Sequence, residues 1–375
     1  MVKPFVKWPG GKTTELEIIH QYLPKRINNY IEPFLGGGAC LFSLKKEEYN
    51  QAFVNDFSFE LVSLYNLIKE RNQLFHQYLI EIWDLWSYFG ELSKKYYELV
   101  RELYQQYKVD ELSKEVLVIE IEKFVDRKRS EVGANLPRYF LVELDSLLNE
   151  LKKSIYSKLD KIKRNEYKKG NLPEEDYSKN IEASFRASVY TYFRSIYNQR
   201  LVIKISHEQH IALFFFLREF CYSSMFRYNR NGGFNVPYGG VTYNSKAFDN
   251  KIEYLWTNSL QEILQQTNIY NLDFEQFLQN ISIREDDFVF LDPPYDSDFS
   301  TYAGNAFGIK DQERLAQYLL TKCRGKFMLI IKNTDFIYQL YNKPCINIIG
   351  FNKEYSVSFM DRNDKKVEHV LITNY

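Results

Sequence analysis

The chain has 375 residues, and its 49 Lys and Arg are balanced by 49 Asp and Glu. A composition 45% apolar and 26% charged excludes a mainly disordered chain, and no run of 18 apolar residues offers a transmembrane span. With zero net charge, a polyanionic partner must be met by a local basic face.

The first residues, Met1 to Trp8, lack the apolar core of a signal peptide. Thr14–Tyr22 is expected as a helix stopped by Pro24, Asn29–Pro33 as a strand and Gly38–Lys46 as a helix. Ala52–Asp56 reads as a strand and Phe59–Lys69 as a helix, an alternation that argues for βαβ units and a parallel sheet. Residues 71–180 change character: Gly and Pro become rare, and 20 Lys and Arg face 20 Asp and Glu. Leu74, Tyr78, Ile82 and Leu85 recur at helical spacing, so a helical insertion is expected. Its end, Lys152–Lys169, carries eight basic and two acidic residues, the pattern of a solvated helix face or of a surface for a polyanion.

Residues 181–265 start and end helical around a Gly/Asn/Arg-rich middle, where Asn231-Gly232 signals a hairpin turn. His207 and His210 have no acidic or Cys partner at metal-ligand spacing and read as ordinary helix residues. From residue 268 onward strands and helices alternate again: Phe288–Leu291 strand, Asp311–Lys322 helix, Phe327–Ile331 and Val367–Ile372 strands. The two α/β portions are expected to form one sheet, interrupted by the middle. Cys40, Cys221, Cys323 and Cys345 are scattered with no C-x-x-C pair. Neither a zinc site nor a disulfide framework is therefore expected, and a reducing, cytoplasmic location fits.

Three segments carry chemistry. In Ile31-Glu-Pro-Phe-Leu-Gly-Gly-Gly-Ala39 an apolar strand runs into Gly36, Gly37 and Gly38 and then a helix, a turn that lets a ligand approach the backbone. Asp56 ends the next strand, where an acid can bind a ribose hydroxyl pair; Leu41 stands where a dinucleotide fingerprint would want a third glycine, so another nucleoside ligand is favoured. Trp8-Pro-Gly-Gly-Lys-Thr13 is similar to the end of a phosphate loop, but Val6 occupies the position of its first glycine. In Val289-Phe-Leu-Asp-Pro-Pro-Tyr295 two prolines make a rigid strand exit whose carbonyls are free of local N–H donors. Asp292 and the Pro293 carbonyl could accept the two hydrogens of an exocyclic amine while Tyr295 stacks on its ring.

Together these segments resemble the Dam-type DNA adenine-N6 methyltransferases, with cofactor motif, recognition segment and catalytic motif in that order. Phe5–Lys12 resembles the N-terminal cofactor motif, Glu32–Gly38 the methionine-binding motif and Asp292–Tyr295 the catalytic motif. Arg227-Tyr-Asn and Gly233–Gly239 resemble the recognition hairpin, and Asn333-Thr-Asp335, Tyr355–Ser358 and Lys366-Val-Glu368 the C-terminal landmarks. The resemblance implies a Rossmann-like class I methyltransferase mixed sheet in 1–70 and 266–375, a helical insertion in 71–180, and a helix-plus-β-hairpin DNA-recognition domain in 181–265. It implies S-adenosyl-L-methionine as cofactor, at Trp8, Lys12, Glu32, Phe34, Gly36, Gly38, Asp56 and Asp292. Asp292, Pro293, Pro294 and Tyr295 would form the catalytic group. Lys7, Tyr222, Met225, Arg227, Arg230 and Asn235 would contact double-stranded DNA, and Arg218, Lys246 and Lys251 add positive charge nearby. The implied reaction is methylation of N6 of an adenine flipped from the duplex, with no metal and no membrane. A cognate restriction enzyme is a partner such enzymes can have.

The recognition segment departs from the family: Ser223-Ser224 stands where Asn-Gly is frequent, and Arg218-Glu219 where Asn-Arg is common. Alternatives at this stage are an RNA base-amine methyltransferase, which would share only the catalytic motif, and a DNA-binding module with an inactive cofactor site. Pro344-Cys345 has the order of a cytosine-C5 nucleophile but lies past the catalytic motif, so Cys345 is expected as a core residue.

Overall fold

The β-branched and aromatic runs at both ends of the chain do pair with one another. A computed structural model describes residues 2–140, 142–230, 232–294, 307–354 and 366–375. It divides into two units, Met1–Glu70 with Leu255–Tyr375, and Arg71–Tyr254. The first holds a seven-stranded sheet: β1 (Asn29–Glu32), β2 (Gln51–Asn55), β3 (Thr267–Tyr270), β4 (Phe288–Leu291), β5 (Lys326–Lys332), β6 (Asn347–Glu354) and β7 (Lys366–Thr373).

The strand order is β3-β2-β1-β4-β5-β7-β6. The first five run parallel, and β7 lies antiparallel between β5 and β6. All four residues of β4 are buried, as expected for a parallel strand covered on both faces. Alternate residues Val289 and Leu291, Leu329 and Ile331, and Val370 and Ile372 join Phe277, Leu315, Leu319 and Tyr341 in a core on one face. β1 pairs with β2 on one side and β4 on the other, so the connections diverge at β1 and leave a crevice beyond the carboxyl ends of β1 and β4.

The expected elements of this unit are present, Phe59–Lys69 and Phe288–Leu291 with the expected ends and others with shifted ones. The first helix spans Leu16–Tyr22, and the helix after the glycines is only Ala39–Ser43. Phe59–Lys69 is capped by the Ser58 hydroxyl on the Leu61 amide. Cys345 is exposed rather than in the core. Lys343-Pro-Cys-Ile346 is a surface turn closed by Ile346 N on Lys343 O (3.2 Å), with Cys345 at φ 67°.

The second unit is mostly helical, with long helices at Gln73–Lys95, Leu144–Lys169, Glu174–Asn198 and His207–Phe220. Trp86 is fully buried at 4.5 Å from the Phe220 ring and 5.3 Å from those of Phe216 and Tyr238. One core therefore unites residues from 71–180 with residues from 181–254, and residue 180 falls inside Glu174–Asn198. Residues 255–265 belong to the sheet unit. In the basic run, Lys152 pairs with Asp126 (2.7 Å) and Lys163 with Asp110 (2.5 Å), while Lys161, Lys168 and Lys169 are exposed. No helix among the described residues is long and apolar enough to cross a membrane.

Candidate active site

β1 ends at Glu32, and the chain turns through Gly36 and Gly38 into a short helix. Gly36 and Gly38 have φ of 50° and 70°, the left-handed region that glycine adopts at little steric cost. A Cβ on Gly36 would lie 2.9 Å from Trp8 Cδ1, and one on Gly38 2.7 Å from the Tyr65 hydroxyl. The loop is thus a bare-backbone cradle walled by Trp8 and Tyr65. Phe34 packs on Phe274 and Phe307, with ring centroids 5.5 Å apart in each case.

Asp56 follows β2 and accepts from Gly36 N (2.9 Å) through Oδ2 and from Ser58 N (2.9 Å) through Oδ1. The residue expected to meet a ribose therefore also holds the glycine turn against the start of the next helix. Tyr65, which no sequence pattern marked, donates to Gly36 O (3.3 Å).

The Gly-Lys-Thr segment does not act as a phosphate loop. Lys12 is 2% exposed, and its ammonium donates to Gly10 O (3.1 Å) and to the Asp292 carboxylate. Asp292 follows β4, directly beyond the sheet's crevice. Pro293 is buried and Pro294 exposed, and the Pro294 carbonyl accepts from Gln312 Nε2 (3.1 Å). Gln312, fully buried in the helix Ile309–Thr321, was invisible to motif reading because a lone Gln in a helix carries no pattern. Tyr295 lies outside the described residues, as do Asn231 and Tyr355–Ser358.

Glu32 is buried, and burial first of all pushes its carboxyl well above the usual range. The Tyr30 hydroxyl donates to it (3.0 Å) and opposes that rise, while the charges of Asp292 and Asp56 add to it. Glu32 at the end of β1 thus feels the carboxylates that follow β2 and β4, and the buried Lys12 pairs with the latter. Such a set of acceptors suits a ligand that brings positive charge and sugar hydroxyls. Trp8, Lys12, Glu32, Gly36, Gly38, Asp56 and Asp292 are gathered here as the sequence suggested.

The other expected contacts lie in the helical unit, except Lys7, which is exposed in the sheet unit. Tyr228 and Phe234 form an antiparallel bridge, and Asn235 N donates to Arg227 O (3.2 Å), so 227–235 folds back as a hairpin. Arg227, Arg230 and Asn235 are exposed on it, Tyr222 is 51% exposed and Met225 half-buried. Arg218 is instead 3% exposed, with its guanidinium 4.9 Å from the Phe226 ring centre. Lys246 and Lys251 both pair with the buried Glu219 carboxylate. The Arg218-Glu219 departure therefore serves the interior of this unit. Ser223 and Ser224 have φ of 53° and 52°, a conformation that Asn-Gly would enter more easily. Among the C-terminal landmarks, Asn333 Nδ2 donates to Glu368 Oε2 (2.9 Å), joining β5's end to β7.

Comparison with known proteins agrees with this arrangement. The family described as D12 class N6 adenine-specific DNA methyltransferase matches residues 8–128 and 128–357. The chain is 27% identical to the type II methyltransferase M.CviBI of Paramecium bursaria Chlorella virus NC1A, over 91% of this chain and 87% of that one. It is also 27% identical to the type II methyltransferase M.MjaIII of Methanocaldococcus jannaschii, over 100% and 99% of the two chains. With a DNA adenine methylase of Vibrio cholerae it shares 23% identity over 98% and 95%. That family match spans most of the chain and makes this protein a member of the D12 class N6 adenine-specific DNA methyltransferases.

Proposed function

We propose that the chain binds S-adenosyl-L-methionine in the glycine cradle and methylates N6 of an adenine flipped out of duplex DNA at a specific site. The observation that carries this reading is the Lys12–Asp292 pair at the carboxyl end of β4, beside the glycine turn of β1. Glu32 and Asp56 would take the positively charged and ribose portions of the cofactor, and Trp8 would bound the cradle. The cofactor supplies a methyl group already activated on a sulfonium.

The remaining task is orientation and charge, which the protein's own groups can perform. Adenine N6 is a weak nucleophile because its lone pair is delocalised into the ring. Asp292 and the Pro293 carbonyl would accept its two hydrogens and draw the nitrogen towards tetrahedral geometry. The Lys12 ammonium holds the Asp292 carboxylate in place, and that carboxylate would stabilise the positive charge N6 gains. Since N6 is paired inside a duplex, the base must leave the stack to reach these acceptors, with Tyr295 replacing lost stacking on one face. The exposed Arg227 and Arg230 would read or anchor DNA, Arg being the commonest partner of guanine O6 and N7. Lys7, Tyr222, Met225 and Asn235 would complete the interface. On this reading the protein works in the cytoplasm, and a restriction enzyme of the same site is its implied protein partner.

The test is transfer of labelled methyl from S-adenosylmethionine to duplex DNA, followed by mapping of N6-methyladenine at single bases. A single methylated sequence context is expected. DNA binding without transfer would reduce the protein to a binding module, and transfer to RNA alone would replace the substrate.

A further inference from the structure

The 227–236 hairpin is fastened to one face of the helix Glu174–Asn198. Tyr190, Arg194 and Asn198 recur every four residues and so share that face. Tyr190 Oη donates to Val236 O (2.8 Å), and Arg194 Nη1 donates to the same carbonyl (3.1 Å). Asn198 does more. Its Nδ2 donates to Phe234 O (3.0 Å), and its Oδ1 accepts from Phe234 N (2.8 Å). One side-chain amide thereby satisfies both backbone groups of Phe234, as a neighbouring strand would.

Phe234 also faces the other strand. Its ring stacks on Phe226 at 4.1 Å, and it bridges to Tyr228. Side chains alternate here, so Phe234 and Val236 point inward and Asn235 outward, while Phe226 is buried and Arg227 exposed. A slip of one residue would bury Asn235 and expose Phe234. The hairpin's own bonds include Asn235 N to Arg227 O (3.2 Å) and Asn229 N to Gly233 O (2.8 Å), and the two bonds from Asn198 to Phe234 add an outside constraint on the same register.

We propose that Asn198 is a positioning residue for site specificity: it locks the hairpin register that presents Arg227 and Asn235 to the bases. This rests on the reading of the protein as a site-specific DNA methyltransferase. Asn198 acts through the Phe234 backbone and lies outside the chemistry, so it governs which sequences are methylated rather than how fast a bound adenine reacts.

The experiment compares wild type, Asn198→Ala and Asn198→Asp on the mapped site and on a panel of single-base-substituted duplexes. Saturating S-adenosylmethionine is used, with thermal melting as a fold control. Asn198→Ala should narrow the ratio of kcat/KM between the mapped site and substituted sites by about tenfold or more, equivalent to about 1.4 kcal/mol. Its kcat at saturating DNA should stay within about threefold of wild type, since the acceptors at Asp292 and Pro293 are untouched. Hydrogen exchange at the Phe234 amide should accelerate. Asn198→Asp keeps the acceptor for Phe234 N and should restore part of the discrimination. It also decides the matter if the alanine variant fails to fold. An unchanged ratio in a folded variant, or an equal loss on every duplex, overturns the positioning role. A wild type that methylates all duplexes alike overturns the underlying reading instead.

Discussion

Lys12 and Asp292, 280 positions apart in the chain, form an ion pair in which the lysine is almost fully buried. The pair joins the N-terminal segment to the strand exit at β4 and gives the Asp292 carboxylate a fixed orientation. Lys12→Met should therefore lower turnover on the order of 10²-fold, and Asp292→Ala by at least as much, as for other preorganised charge-stabilising groups. Single-turnover methyl transfer measures this, with melting curves to show that the fold survives. An Asp292→Ala enzyme working at near wild-type rate would remove Asp292 from the chemistry.

Asp56 is bonded to the glycine turn, and on the proposed reading it also meets the cofactor's ribose. Asp56→Ala should weaken S-adenosylmethionine binding by about 1–3 kcal/mol, the scale of a hydrogen bond to a charged group together with the loosened turn. Asp56→Asn keeps one acceptor oxygen and should lose less. Calorimetric titration distinguishes the two, and equal affinities in all three proteins would move the ribose contact elsewhere.

Glu32 is held protonated more readily than an ordinary carboxylate, chiefly by burial. Its folded-state pKa lies above the unfolded value of about 4.5. The protonated form thus favours the fold at low pH, and that contribution is lost as pH rises through the folded pKa. Glu32→Gln should consequently raise Tm at neutral pH without a gain at pH 4. The same change should weaken cofactor binding, on the order of tenfold, if Glu32 meets a positive group of the ligand. A variant destabilised at neutral pH would contradict the charge assignment.

Glu166 behaves in the opposite sense within the helical unit. Burial alone would raise it, but the Tyr104 and Tyr177 hydroxyls, the Leu172 amide (2.8 Å) and the Lys108 ammonium (3.0 Å) outweigh burial and hold it at about 2. A depressed folded pKa stabilises above the unfolded value, and the effect fades as pH falls from about 4.5 to about 2. Glu166→Gln should cost on the order of 2–3 kcal/mol at pH 7 and flatten the acid limb of stability. Denaturant titrations across that window check both.

Gln312 donates to the carbonyl of the second proline of the Asp-Pro-Pro segment, which the proposed reading makes catalytic. Gln312→Met keeps most of the volume but loses that donor, and should cut kcat by about three- to tenfold, the worth of one hydrogen bond of about 0.5–1.5 kcal/mol. Cofactor affinity should not change. A drop in affinity with kcat preserved would place Gln312 at the cofactor rather than at the strand exit.

Much of the sheet unit was readable in advance. Phe59–Lys69 and Phe288–Leu291 have the expected ends because Ser58 caps the one and the Asp-Pro-Pro exit stops the other. Gly36, Gly38, Asp56 and Asp292 could be singled out in the sequence because a tight turn and a carboxylate at a strand end each call for particular residue types at particular positions. Such local rules act over a few residues and leave their mark in the sequence itself.

The tertiary structure alone decided which expected cations are spent internally. Arg218, Lys246 and Lys251 count as positive charge in any sequence window, yet one lies under Phe226 and the other two neutralise Glu219. Helical periodicity likewise marked the apolar face of Gln73–Lys95 but not its partner. Only packing shows that Trp86 shares a core with Phe216, Phe220 and Tyr238. The hydrophobic effect is non-directional, so it dictates that such a face be buried without naming what buries it. The same holds for Lys12 and Asn198, whose partners Asp292 and Phe234 are brought within hydrogen-bonding distance by the folded chain and not by sequence spacing.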